Sequence, residues 1–78
     1  MKTSEFIVKL KTNLDFEKID MTVDTNLKSL DGFDSMSIMT IIAIVDEYFS
    51  KKLTARQPAS MTTVASLMEL IGLENFND

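Results

Sequence analysis

The residues with the best claim to chemistry stand at one junction, Asp34-Ser35-Met36, where a polar stretch gives way to the most apolar run of the chain. A serine at the start of a helix presents its hydroxyl to solvent, and the free backbone N–H groups and positive end of the helix dipole there favour an attached anion. Seen alone, Asp-Ser before an apolar run more often marks only an N-cap. The rest of the chain offers little to a reaction. It contains no cysteine and no histidine, which removes thiolate nucleophiles, the common zinc ligands and the usual general base at neutral pH. No nucleophile pair, base or metal cluster can be assembled from what remains, so a small enzyme is the weaker reading. Any thiol chemistry has to be imported on a group that the chain carries.

The elements that must position this junction are helical. Thr3 or Ser4 can cap a first helix over residues 4–13, with Glu5 in its first turn and Phe6, Ile7, Leu10 and Leu14 along one stripe. Between Asn13 and Asp34 the periodicity breaks down and apolar anchors stand singly at Phe16, Ile19, Met21, Val23, Leu27, Leu30 and Phe33. A connection of that length is unusual in a compact domain, so it hides a short helix or serves a function. A second helix is expected over residues 35–50, opened by Asp34 or Ser35. At about 100° per residue Ile38, Ile42, Val45 and Phe49 form its core side, flanked by Ile41 and Tyr48. Met36, Met39 and Ala43 form the opposite flank, Ser37, Thr40, Glu47 and Lys51 mark a solvent stripe, and Ile44 projects into that stripe. Pro58 makes Gln57 a poor interior helical residue, leaving room for only a short helical turn over residues 59–61. Thr62 or Thr63 caps a last helix carrying Val64, Leu67, Met68 and Ile71, Gly72 takes the C-cap, and residues 74–78 are expected to fray.

Composition agrees with an all-α domain of modest size. With 78 residues the chain has room for one domain, over residues 1–78, and one core, too small to enclose a substrate together with a catalytic apparatus. Hydrophobic residues at 45% and charged residues at 26% are those of a folded chain. Two glycines and one proline leave few hairpin signals. The net charge of −4 repels a phosphate backbone or an anionic membrane, so nucleic acid is not an expected partner. No apolar run approaches the ~18 residues of a membrane span, and Met1 leads into polar Lys2-Thr3-Ser4-Glu5 without the pattern of a secretory signal. A cytoplasmic monomer is the expectation.

The stretch Leu27-Lys28-Ser29-Leu30-Asp31-Gly32-Phe33-Asp34-Ser35-Met36-Ser37, followed by the apolar helix and then Thr62-Thr63-Val64, resembles the acyl carrier protein family. That family is marked by Asp-Ser-Leu at the start of its second helix, after a long first loop, and the resemblance spans nearly the whole chain. It implies a four-helix up-down bundle with a long loop between helices 1 and 2 and a short third helix. It implies a 4′-phosphopantetheine arm on Ser35, added from coenzyme A by a phosphopantetheinyl transferase with a divalent metal, and a role for Asp34 in assisting that modification. The arm ends in a thiol and so supplies what the sequence omits. The resemblance further implies that acyl or related carboxylate cargo is held as a thioester and presented to acyl-loading and acyl-processing enzymes of fatty-acid, polyketide or other specialised biosynthesis.

Candidate partner contacts are Met36, Met39, Ala43, Ile44 and Glu47. Methionine is an adaptable contact residue for partners that dock and leave, although apolar residues at helical spacing are more often core. Two departures bear on the pathway. Met36 replaces the usual leucine, similar in volume and apolar character. The exposed side of the second helix lacks the run of acids that fatty-acid carriers display to basic patches on their enzymes, because Ser37 and Thr40 are neutral and only Asp46 and Glu47 remain. Gly32-Phe33-Asp34-Ser35-Met36 looks more like the stand-alone carriers of polyketide, aminoacyl or surface-polysaccharide pathways. The rival expectation is an unmodified docking or scaffold domain of the same fold.

Overall fold

The computed structural model describes residues 1–77, and its elements are set largely by where each helix finds its caps. Four helices are present among the described residues: α1 Thr3–Asn13, α2 Ser35–Phe49, α3 Arg56–Ser60 and α4 Val64–Ile71. Single 3₁₀ turns lie at Leu27–Ser29 and Leu73–Asn75. No strand occurs among them, only one antiparallel bridge between Asn26 and Thr63, so the chain is all-α. No described helix is long and apolar enough to cross a membrane.

α1 begins one residue before the sequence-based boundary and has no side-chain cap. It ends where Phe16 N–H reaches back to Lys11 C=O at 2.9 Å and Asp15 turns left-handed at φ 61°, a six-to-one closure that satisfies a helix-end carbonyl. α4 opens with a reciprocal cap: Thr63 Oγ1 accepts from Ser66 N–H at 3.1 Å, and Ser66 Oγ accepts from Thr63 N–H at 2.9 Å. Gly72 closes it at φ 110°, a conformation few other residues adopt. α3 is longer than the single turn expected. Gln57 and Pro58 fall in its first turn, where backbone N–H groups have no intrahelical partner and proline costs nothing.

α2 packs against α1 and α3, and α3 against α4. Phe6, Leu10, Leu27, Ile41, Val45, Val64 and Leu67 are fully enclosed at the centre. The connection over residues 14–34 is tied down along its length. Leu27 N–H donates to Thr62 C=O at 2.8 Å, Val64 N–H to Thr25 C=O at 3.2 Å, and Ala65 N–H to Val23 C=O at 2.9 Å. The hidden helix is thus a 3₁₀ turn, and the remainder alternates local turns, such as Ile19 N–H to Phe16 C=O at 3.0 Å, with stretches whose backbone bonds are supplied by the approach to α4.

Two expectations are corrected. α2 is rotated by about one residue from the sequence-based wheel: Ser37, Ile41, Ile44 and Val45 face inward, while Ile38, Ile42 and Phe49 are only half-buried. Ile44 is 3% exposed and does not enter the polar stripe. The segment after Gly72 does not fray. Phe76 is half-buried, with its ring centroid 5.2 Å from Phe6 and 5.3 Å from Phe49, and Asn77 N–H donates to Met1 C=O at 3.2 Å. Asp78 lies outside the described residues.

Candidate functional site

Three anchors and one turn deliver Ser35 to the surface. Leu27 is buried, and Leu30 and Phe33 are half-buried against the core. Leu30 N–H closes on Leu27 C=O at 3.2 Å, and Phe33 N–H on Leu30 C=O at 3.1 Å. Gly32 then bends the chain at φ 93°. A Cβ there would meet nothing nearer than Phe16 at 3.9 Å, so glycine is required by the backbone angle and not by crowding.

Asp34 is extended, at φ −142° and ψ −169°, and caps α2. Its Oδ1 accepts from Ser37 N–H at 3.1 Å and from the Ser37 hydroxyl at 3.3 Å, while Asp34 N–H donates to Ser37 Oγ at 3.2 Å. The reciprocal pair satisfies two orphan donors at the helix start and holds the first turn rigidly. Ser37 is therefore buried at 8% because its hydroxyl belongs to the cap, and not solvent-facing as its polarity suggests. Asp34 Oδ2 receives no hydrogen bond from the described residues, so one oxygen of the carboxylate caps and the other stays available.

Ser35 is the first residue of α2 and is exposed. Its hydroxyl has no hydrogen-bond partner among the described residues, and its own N–H and that of Met36 precede the first intrahelical bond, Ile38 N–H to Asp34 C=O at 3.3 Å. A phosphodiester fits here: the hydroxyl is accessible, and the amides with the helix dipole favour negative charge by about 0.3–1 kcal/mol. Neighbouring carboxylates oppose this, so the dipole biases where a covalently attached phosphate points more than whether it is held.

Beside the serine a groove of about 360 Å³ runs between the end of α1 and the start of α2, lined among others by Asp15 and Phe16 on one side and by Asp31, Asp34, Met36 and Thr40 on the other. Met36 is 71% exposed and Met39 56%, with Ala43 and Glu47 also exposed. Of the expected contact residues, Met36, Met39 and Ala43 share the face that starts at Ser35. Glu47 lies twelve residues on, about 18 Å along the axis, and Ile44 is removed from the set by its burial. Sequence reading missed Asp15 and Asp31 as neighbours of the site. The Asp-x-x-Ser spacing of Asp34 and Ser37 was a legible capping signal, whereas nothing local placed Asp15 across the groove.

In comparison with known proteins, a family model described as the phosphopantetheine attachment site matches residues 5–71. Neither the curated proteins nor the solved structures gave a match.

Proposed function

Because the chain belongs to the phosphopantetheine attachment site family, whose members carry 4′-phosphopantetheine covalently on a serine, we propose that Ser35 is that serine and that the chain is a non-catalytic carrier. The single observation that supports this is an exposed, unbonded hydroxyl at the first position of a firmly capped helix. The arm supplies a terminal thiol, on which an acyl or related carboxylate cargo is held as a thioester. The chain's own residues hold and present it. Asp34 Oδ1 fixes the helix start, Asp34 Oδ2 remains to contact a cationic group or accept a proton when a phosphopantetheinyl transferase acts, and Met36, Met39 and Ala43 offer an apolar seat to that enzyme and to acyl-processing enzymes. The absence of charge on α2 between Ser35 and Val45 favours a dedicated partner set in specialised biosynthesis over bulk fatty-acid synthesis.

Incubation with coenzyme A and a broad-specificity phosphopantetheinyl transferase, followed by intact-mass measurement, tests the assignment. The wild type gains one phosphopantetheine and Ser35→Ala gains none. An unchanged wild-type mass, or a gain that persists in Ser35→Ala, overturns it.

A further inference from the structure

From Ser35 to Val45 α2 bears no charged side chain. Thr40 turns its hydroxyl back to Met36 C=O at 3.0 Å, so the face beside Ser35 presents Met36, Met39 and Ala43 and no charge. Neither methionine joins the core cluster. An apolar face of this kind gives contact area but no long-range steering.

The charge lies elsewhere. Residues 15–34 hold six Asp and Glu against two Lys, a net of −4, which equals the net charge of the chain, so all the other residues together balance to zero. Each of those six carboxylates is exposed. Asp15, Asp31 and Asp34 line the same groove as Met36. Apolar seat and negative rim are therefore adjacent, with the rim on the connection and not on the helix.

Resting on the reading of Ser35 as the attachment point, we infer that enzymes acting at Ser35 dock across the mouth of this groove, seating Met36 and Met39 in an apolar pocket and presenting cationic side chains to Asp15 and Asp31. The electrostatic share of recognition lies in the first connection and not along α2. Charge complementarity selects this occupant. An anionic membrane or a nucleic acid is repelled by the carboxylates, and a two-fold copy of the chain brings like-charged connections to one interface. A protein with a basic rim around an apolar pocket is complementary to both halves.

The test uses a broad-specificity phosphopantetheinyl transferase, with coenzyme A, as the docking enzyme and follows initial rates across a range of salt concentrations. Asp15→Asn/Asp31→Asn keeps the left-handed turn, because asparagine tolerates φ 61°. It raises the KM for the carrier roughly three- to tenfold at low salt, leaves kcat nearly unchanged and flattens the salt dependence. Glu5→Gln/Glu69→Gln, with the same change in charge on α1 and α4, shifts KM less than about twofold. Met36→Ser/Met39→Ser raises KM at every salt concentration. The inference is overturned if the Asp15/Asp31 pair behaves like the Glu5/Glu69 pair, or if Asp46→Asn/Glu47→Gln raises KM more. If the wild type takes up no phosphopantetheine at all, the Ser35 reading falls and this inference with it.

Discussion

We propose two roles for Asp34, one on each carboxylate oxygen, and one substitution separates them. Its Oδ1 takes both hydrogen bonds from Ser37, while Oδ2 takes none from the described residues. Asp34→Asn keeps a carbonyl oxygen for the cap and replaces the free oxygen with an amide. Asparagine and aspartate are about equal as N-caps, so the cost to folding is limited to the charge–dipole part, about 0.3–1 kcal/mol. Asp34→Ala loses the cap itself, typically about 1 kcal/mol and up to about 2. Each kcal/mol shifts the melting temperature of a chain this size by roughly 4–8 °C, so thermal unfolding followed by circular dichroism resolves the pair.

Transfer rates respond differently. A hydrogen bond to a charged group contributes about 1.5–3 kcal/mol, and about 1.4 kcal/mol is tenfold in rate. Loss of Oδ2 as a charged acceptor therefore lowers kcat/KM for phosphopantetheine transfer roughly 10- to 100-fold in Asp34→Asn, although that variant stays folded. An Asp34→Asn protein modified as fast as the wild type refutes the two-oxygen argument and leaves Asp34 as a cap alone. If Asp34→Asn melts as low as Asp34→Ala, the reading of Oδ1 as the cap fails.

Three further substitutions probe the frame. Phe76→Ala removes a ring packed on Phe6 and Phe49 and, because the site is only half-buried, is expected to cost about 2–3 kcal/mol in urea unfolding, below the 3–5 kcal/mol of a fully enclosed phenylalanine; a loss under about 0.5 kcal/mol means the end frays after all. Ile44→Asp places a charge at a position 3% exposed and should abolish cooperative folding by circular dichroism, whereas Met39→Asp, at 56% exposed, should stay within about 1 kcal/mol of the wild type. An Ile44→Asp variant that unfolds as cooperatively as the wild type restores the solvent-facing Ile44 read from the sequence.

What was legible in the sequence follows from how one-sided each signal is. α4 carries its apolar residues on one stripe between a threonine cap and a glycine, so its extent and buried face could be read residue by residue. In α2 ten of fifteen residues are apolar, so the wheel has no clear minimum and several rotations bury nearly the same surface. Polarity alone places Ser37 in the solvent stripe with Thr40, Glu47 and Lys51. The Ser37 hydroxyl is instead consumed by the Asp34 cap, which lets a serine sit inward and turns Ile44 in with it. Capping, a local effect of about 1 kcal/mol, thus decided the orientation that hydrophobicity left degenerate.

The site divides along the same line. The placement of Ser35 and Asp34 was legible because it depends on near neighbours: a turn at Gly32, a cap at Ser37, a helix start. Asp15 was not, because it reaches the groove through the Lys11–Phe16 closure of α1 and the packing of α1 against α2, which joins residues far apart in the chain. The excess of acids in residues 15–34 was visible in the sequence, yet composition alone cannot say which acids face a partner. Only once α1 packs against α2 do Asp15 and Asp31 come to flank Met36, and a diffuse negative charge becomes a rim around an apolar seat. Charge in a loop forms a definite pattern only where the backbone that holds it is fixed, and here that fixing is done by turns and one bridge with no sequence periodicity to announce them.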